Sequence, residues 1–190
     1  MKRVLVTGMS GTGKSTVIAT LAARGYKAVD ADDGEWSEWA NVPGDDEPGA
    51  SSDPNWVWRT KDWMWREDRV QRLLATEDAG VLFVGGCAPN QGKFYAQFDH
   101  AVLLSAPAAV LVERLATRTT NSYGKHPDEV ARVLGHLQTV EPRLRRSASL
   151  EVDTSAPLDQ VVETILSHVH VAPIGPPAPQ CHRALEIPAP

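Results

Sequence analysis

This sequence predicts an α/β protein of three layers, α/β/α, with a five-stranded parallel sheet in the middle. Two observations predict it. Short apolar, β-branched runs alternate with stretches of helical periodicity from residue 3 to residue 169, and such alternation makes parallel sheets with right-handed crossovers. Glycine and aspartate gather just after the apolar runs, where parallel sheets hold their ligands. At 190 residues the chain suits one domain, residues 1–171, followed by a tail.

The elements follow in order. "RVLVT" (3–7) is the first strand. In "KSTVIATLAARG" (14–25), Val17, Ile18, Leu21 and Ala22 share helical spacing and Gly25 suits the C-terminal cap. "KAVDA" (27–31) is the second strand. Residues 30–54 then hold nine acidic residues and no lysine or arginine, with Pro, Gly and Ser among them. That composition reads as a loop or flap, about 33–60. A helix is expected from about Thr60 to Asp78, with Trp63, Glu67, Val70 and Leu74 on one face. "GVLFVGG" (80–86) and "AVLLS" (101–105) are buried strands. "PAAVLVERLATR" (107–118) is a helix with proline in its first turn. "TTNSYGKH" (119–126) is polar and reads as a loop. A helix starts near Pro127, and Pro142 kinks or ends its far part. "LEVDT" (150–154) is the fifth strand, and 157–169 a closing helix capped by Thr154 or Ser155. Residues 172–190 contain six prolines and no apolar period, as a tail does.

Composition narrows the function. The formal net charge is −5, the pI about 5.7, and no basic block stands out, so nucleic acid is not an expected partner. No apolar run is long enough to span a bilayer, so no membrane partner is expected. The charged start runs directly into a strand, which reads as no targeting signal. Cys87 and Cys181 form no CxxC or zinc spacing, and a reducing cytoplasm suits them. His168 and His170 point apart at a helix end, and no Ser–His–Asp order suggests a hydrolytic nucleophile.

The strongest signal is "GMSGTGKST" (8–16), between the first strand and the first helix. Gly8, four residues, then Gly13-Lys14-Ser15 is the full Walker A pattern in its strand–loop–helix setting. Glycines let Gly8, Ser10, Gly11, Thr12 and Gly13 turn their N–H groups inward, and the helix start adds partial positive charge. Lys14 reaches the β- and γ-phosphates of ATP, Ser15 binds Mg²⁺, and Thr16 lies in the same first turn.

Beyond that loop, the sequence resembles the shikimate-kinase-like branch of the P-loop small-molecule kinases, with their gluconate and nucleotide kinase relatives, over roughly residues 1–170. "VDAD" (29–32), "WRED" (65–68), "VGG" (84–86), "RTTN" (118–121) and "RRSASLEVDT" (145–154) carry it, in family order. The resemblance implies a P-loop kinase fold with an acceptor flap, a lid over about 118–126, and ATP with Mg²⁺. It implies Lys14, Asp32 and Arg118 as catalytic residues. Asp32 accepts a hydrogen bond from the acceptor hydroxyl, and Asp30 reaches Mg²⁺ through water. Arg118 covers the nucleotide as the lid closes, with Arg114 as the alternative. Asp32, Arg66, Gly85, Gly86, Trp58 and Trp65 face the acceptor.

The departures are specific. The lid arginine expected three residues after Asn121 is replaced by Gly124, with Lys125 beside it. The arginine expected two residues before Pro142 is Val140, and the third glycine is Cys87. Gripping a carboxylate calls for bidentate arginines, so shikimate itself is not the expected acceptor. All six tryptophans (36, 39, 56, 58, 63, 65) lie in the acceptor region, either anchoring the flap or walling a ring-bearing acceptor. The surrounding carboxylates favour a neutral or cationic acceptor such as a sugar, aminocyclitol or nucleoside. The reading is an ATP-dependent phosphotransferase acting as monomer or homodimer. A nucleoside monophosphate kinase using Arg59, Arg66, Arg114 and Arg118 is the rival, and a regulatory ATP-binding module with little turnover the rival of another class.

Overall fold

The computed structural model describes residues 1–41 and 61–170. Five strands form one parallel sheet: β1 (Lys2–Thr7), β2 (Lys27–Asp30), β5 (Val81–Gly85), β6 (His100–Ser105) and β7 (Leu150–Asp153), in the order β2-β5-β1-β6-β7. β1 lies at the centre, with Val4 opposite Phe83 on one side and His100 on the other. This placement puts the loop after β1 beside the ends of β5 and β6.

Alternate residues of these strands face opposite layers, as a period of two dictates. Val4, Val6, Phe83, Val102 and Leu104 pack with Val17, Ile18 and Leu21 of α1 (Lys14–Ala23) and with Val161, Val162 and Ile165 of the closing helix. Leu5, Leu82 and Val84 pack the other way, against Val70, Leu73 and Leu74 of α2 (Glu67–Leu74) and against Phe94. Phe94 belongs to a 3₁₀ segment, Pro89–Gln97, that the sequence reading did not assign. The helices α3 (Ala108–Thr117), α4 (Pro127–Thr139), α5 (Glu141–Ser147) and α6 (Leu158–His168) complete the described chain. Val140 joins α4 to α5, and Pro142 sits in the first turn of α5, where its missing N–H costs nothing. No described helix is long and apolar enough to cross a membrane.

Three expectations need correction. The helix expected over 60–78 is instead β4 (Lys61–Trp65) followed by α2. β4 pairs antiparallel with β3 (Ser37–Asn41), which lies inside the expected flap loop; Trp39 stands opposite Trp63, and Ser37 opposite Trp65. Pairing with a distant strand overrides the helical spacing of Trp63 with Val70. Neither Thr154 nor Ser155 caps α6: its N-cap is Pro157, without a side-chain bond, and the Thr154 hydroxyl bonds Ser105 O and Arg114 instead. The rest of the flap, with Trp56, Trp58 and Arg59, and the proline-rich tail lie outside the described residues.

Gly85 marks how closely α1 docks on β5. A Cβ there would stand 2.4 Å from Ile18 Cγ1. Gly85→Ala is expected to cost about 1–3 kcal/mol through overpacking, read as a lower urea midpoint. In an Ile18→Ala background the same substitution should cost much less.

Candidate active site

The loop after β1 folds back on itself. Thr12, fully buried, donates its N–H (3.2 Å) and its hydroxyl (2.8 Å) to Met9 O. Gly13, the N-cap of α1, has φ +90, a left-handed conformation that glycine adopts without cost. No side chain caps α1, so the N–H groups of its first turn face the loop's concavity with the positive end of the helix dipole behind them. Lys14 Nζ donates to Gly8 O (2.9 Å) and Met9 O (3.4 Å) and lies 3.7 Å from Asp32 Oδ2.

Asp32 follows β2, next to β5 in the sheet. Its Oδ1 accepts from Cys87 N (2.9 Å) and from the Trp65 indole (3.5 Å). Its own N–H donates to Asp30 Oδ1 (3.1 Å). Gly86 makes this possible: a Cβ would sit 2.8 Å from Asp32 Oδ1 and 2.9 Å from the Trp65 ring. The Trp63 indole N–H donates to Asp32 O (2.8 Å) and fixes the backbone from the other side.

Two clefts meet at this aspartate. The first, about 710 Å³, is lined by residues 10–17 of the loop and helix start, by Asp30 and Asp32, and by Arg114, Arg118, Asn121 and Thr154. Arg114 is fixed by donation to Thr154 Oγ1 (2.9 Å) and Thr154 O (2.7 Å). Arg118 donates to Tyr123 O, while its buried Nε has no acceptor among the described residues. Burial pulls its guanidinium below the ordinary arginine value. An orphaned cationic donor beside a ring of amides fits an anionic ligand such as a polyphosphate.

The second cleft, about 430 Å³, shares Ser10, Lys14, Asp32 and Asn121 with the first. Trp39 and Trp63 wall it, edge to face with ring centres 5.3 Å apart. Asp62, Cys87, Tyr123, Glu129, Arg132 and His136 also line it. Asp62 Oδ2 pairs with Arg132 at 3.1 Å. Glu129 Oε2 accepts from Gly124 N (2.7 Å) and His126 N (3.2 Å), tying the loop after α3 to α4. Burial pushes the Cys87 thiol up, keeping it protonated. Burial, helped by Arg132 and opposed by Asp62, holds the His136 imidazole below its usual value.

The structure brings together much of what the sequence singled out. Ser10, Gly11, Thr12, Gly13, Lys14, Ser15, Thr16, Asp30, Asp32, Arg114 and Arg118 line the first cleft, and Gly8 the second. Four acceptor-side residues stand elsewhere. Arg66 turns to Glu38 Oε2 (3.3 Å) and Ser37 O (3.5 Å). Trp65 is 2 % exposed and packs on Phe94. Gly85 and Gly86 are buried supports. Trp58 lies outside the described residues. The reading missed Trp39 and Trp63 as a facing pair, although both belong to the cluster it noticed; β-pairing of the segment was the signal. Asp62 with Arg132, 70 positions apart, gave no local signal.

Mg²⁺ has hard oxygen ligands within reach of the same cleft: the exposed Ser15 hydroxyl and the Asp30 carboxylate. Among the described residues no three His, Cys, Asp or Glu side chains form a metal cage. Mg²⁺ asks for none where a nucleotide and water supply the remaining oxygens.

Known proteins share this frame. The AAA domain family matches residues 4–135. No curated protein matches the chain by sequence. Among solved structures, shikimate kinase from Acinetobacter baumannii, in complex with shikimate, is similar at a TM-score of 0.58 and 19 % identity, covering 90 % of this chain and 93 % of that one. A sugar kinase from Janibacter sp. HTCC2649 gives 0.54 and 21 %, with 91 % and 96 % covered. Deoxyadenosine kinase from M. mycoides, with bound dATP, gives 0.54 and 10 %, with 90 % and 100 % covered. The loop after β1, the order of the five strands and these likenesses agree: this chain belongs to the AAA domain family and has the fold of the P-loop small-molecule kinases.

Proposed function

We propose that this protein is an ATP-dependent phosphotransferase that moves the γ-phosphate to a hydroxyl of a small acceptor without a phosphate of its own, in the cytoplasm. One observation carries the reading: two clefts of different chemistry share Lys14 and Asp32. The first is lined by loop amides, Lys14, Arg114 and Arg118, groups that bind polyphosphate. The second is walled by aromatic rings and rimmed by carboxylates.

Each residue then has a task. The loop amides and Lys14 hold the β- and γ-phosphates, Lys14 exchanging its bonds to Gly8 O and Met9 O for phosphate oxygens. Asp32, held by Cys87 N–H and the Trp65 indole, orients the acceptor hydroxyl and takes its proton. Arg118 supplies charge from the lid, and closure over the cleft excludes water. When bound by Ser15 and, through water, Asp30, Mg²⁺ neutralises charge on the transferring group.

A nucleoside monophosphate acceptor would need several arginines around its phosphate. Among the described residues that line the second cleft, the one arginine is Arg132, and Asp62 engages it, which favours an acceptor without a phosphate.

ADP formation measured with ATP, Mg²⁺ and a panel of hydroxyl compounds tests the proposal. At least one compound should raise it far above the rate in water; ATP binding with no acceptor dependence throughout would leave only a regulatory module. Lys14→Ala should lower acceptor-dependent turnover by about a hundredfold or more. Asp32→Asn should lower kcat by about 10²–10⁴-fold while ATP affinity, read by calorimetry, is largely kept. A variant with full turnover would remove the assigned role.

A further inference from the structure

The phosphotransferase reading puts the acceptor in the second cleft, and any rule for choosing that acceptor rests on that reading. Among the described residues, the formal charges lining this cleft belong to Lys14, Asp32, Asp62, Glu129 and Arg132. Each already has a partner within the protein. Lys14 stands 3.7 Å from Asp32, and Arg132 stands 3.1 Å from Asp62. The two amides of the lid loop hold Glu129 Oε2. His136, also in the lining, is shifted toward its neutral form by burial and by Arg132, with Asp62 opposing.

The Asp62–Arg132 pair is half-buried, with side chains 28 % and 34 % exposed, so solvent does not screen it fully. A carboxylate or phosphate entering the cleft would have to draw Arg132 away and leave Asp62 uncompensated. An ammonium would have to draw Asp62 away and leave Arg132 uncompensated. Either exchange leaves a partly desolvated charge alone, which is costly. A neutral polyol breaks nothing: the guanidinium keeps further N–H donors and the carboxylate further lone pairs for hydroxyls. The Trp39–Trp63 wall offers the apolar face that a ring needs.

We infer that Asp62 and Arg132 set acceptor specificity as a mutually cancelling pair, admitting uncharged, hydroxyl-bearing rings and turning away carboxylates, phosphates and amines. The pair also joins β4 to α4, the helix behind the lid, so the same contact sits where the two sides of the acceptor cleft meet.

The test uses the full chain with Mg²⁺ and a non-hydrolysable ATP analogue. Calorimetry reads binding of matched compounds: a hexose with its uronate and its amine, a cyclitol with its carboxylate and amine, and a nucleoside with its monophosphate. The three sets separate the possible sources of a neutral ring. The wild type should bind the neutral members more tightly, by about tenfold or more. Asp62→Asn should shift preference toward the carboxylates and phosphate by about tenfold, and Arg132→Gln toward the amines by a similar factor. The exchanged variant Asp62→Arg/Arg132→Asp should restore the neutral preference, and retained ATP affinity identifies each variant as folded. A wild type that prefers a charged member overturns the inference, as do folded single variants with unaltered ranking. ADP formation from the same compounds with ATP separates the two claims. Phosphorylation of a charged member above its neutral counterpart overturns the charge rule and leaves the phosphotransferase reading standing. Neutral members that bind without ADP formation overturn the phosphotransferase reading and leave the charge rule as one of binding alone.

Discussion

A single carboxylate organises the mouth of this sheet. Asp32 meets the ammonium of the loop after β1, the backbone N–H that follows β5, and an indole from β4. These three groups come from three separate stretches of chain, and the order β2-β5-β1 makes neighbours of the strand ends that carry the first two and Asp32 itself. The contact tolerates no bulk on the turn after β5, where Gly86 lets the backbone approach. Much of the candidate site can be read outward from this constraint: Trp65 is buried to support it, and Trp63 is oriented by bonding the same residue's carbonyl.

The two clefts on either side of Asp32 differ in how their charges are satisfied. In the first, helix-start amides and Arg118 Nε lack acceptors among the described protein groups, a preorganised positive field of the kind polyphosphates select. In the second, Lys14 stands beside Asp32, Arg132 pairs with Asp62, and backbone amides hold Glu129. One fold thus presents an open electrostatic site beside a compensated one, with Lys14 and Asp32 at the boundary. The loop of residues 118–126 is attached to both, through Arg118 to Tyr123 O on one side and through Glu129 to Gly124 N on the other.

The parallel strands, the phosphate-binding loop and the aspartates after β2 were legible because each is encoded locally. A β-branched run, a glycine spacing or a strand-end carboxylate needs no knowledge of distant residues. The segment from Lys61 to Leu74 was misread because Val70 and Leu74 do form a helical face, while Trp63 answers instead to Trp39 across an antiparallel ladder. Arg66 stands in family order, but its contact with Glu38 on the neighbouring strand was not legible from the motif. Asp62 and Arg132 were invisible because an ion pair spanning 70 positions leaves no pattern in either neighbourhood.

The crowding of tryptophan has an optical consequence. Every indole of the chain lies between positions 36 and 65; Trp39 and Trp63 wall the second cleft, and Trp65 touches Asp32 from behind. The helices from α3 onward contain none. Ultraviolet emission from Trp39, Trp63 and Trp65 therefore gauges the surroundings of Asp32 and the second cleft, and the helices from α3 onward add no indole signal of their own.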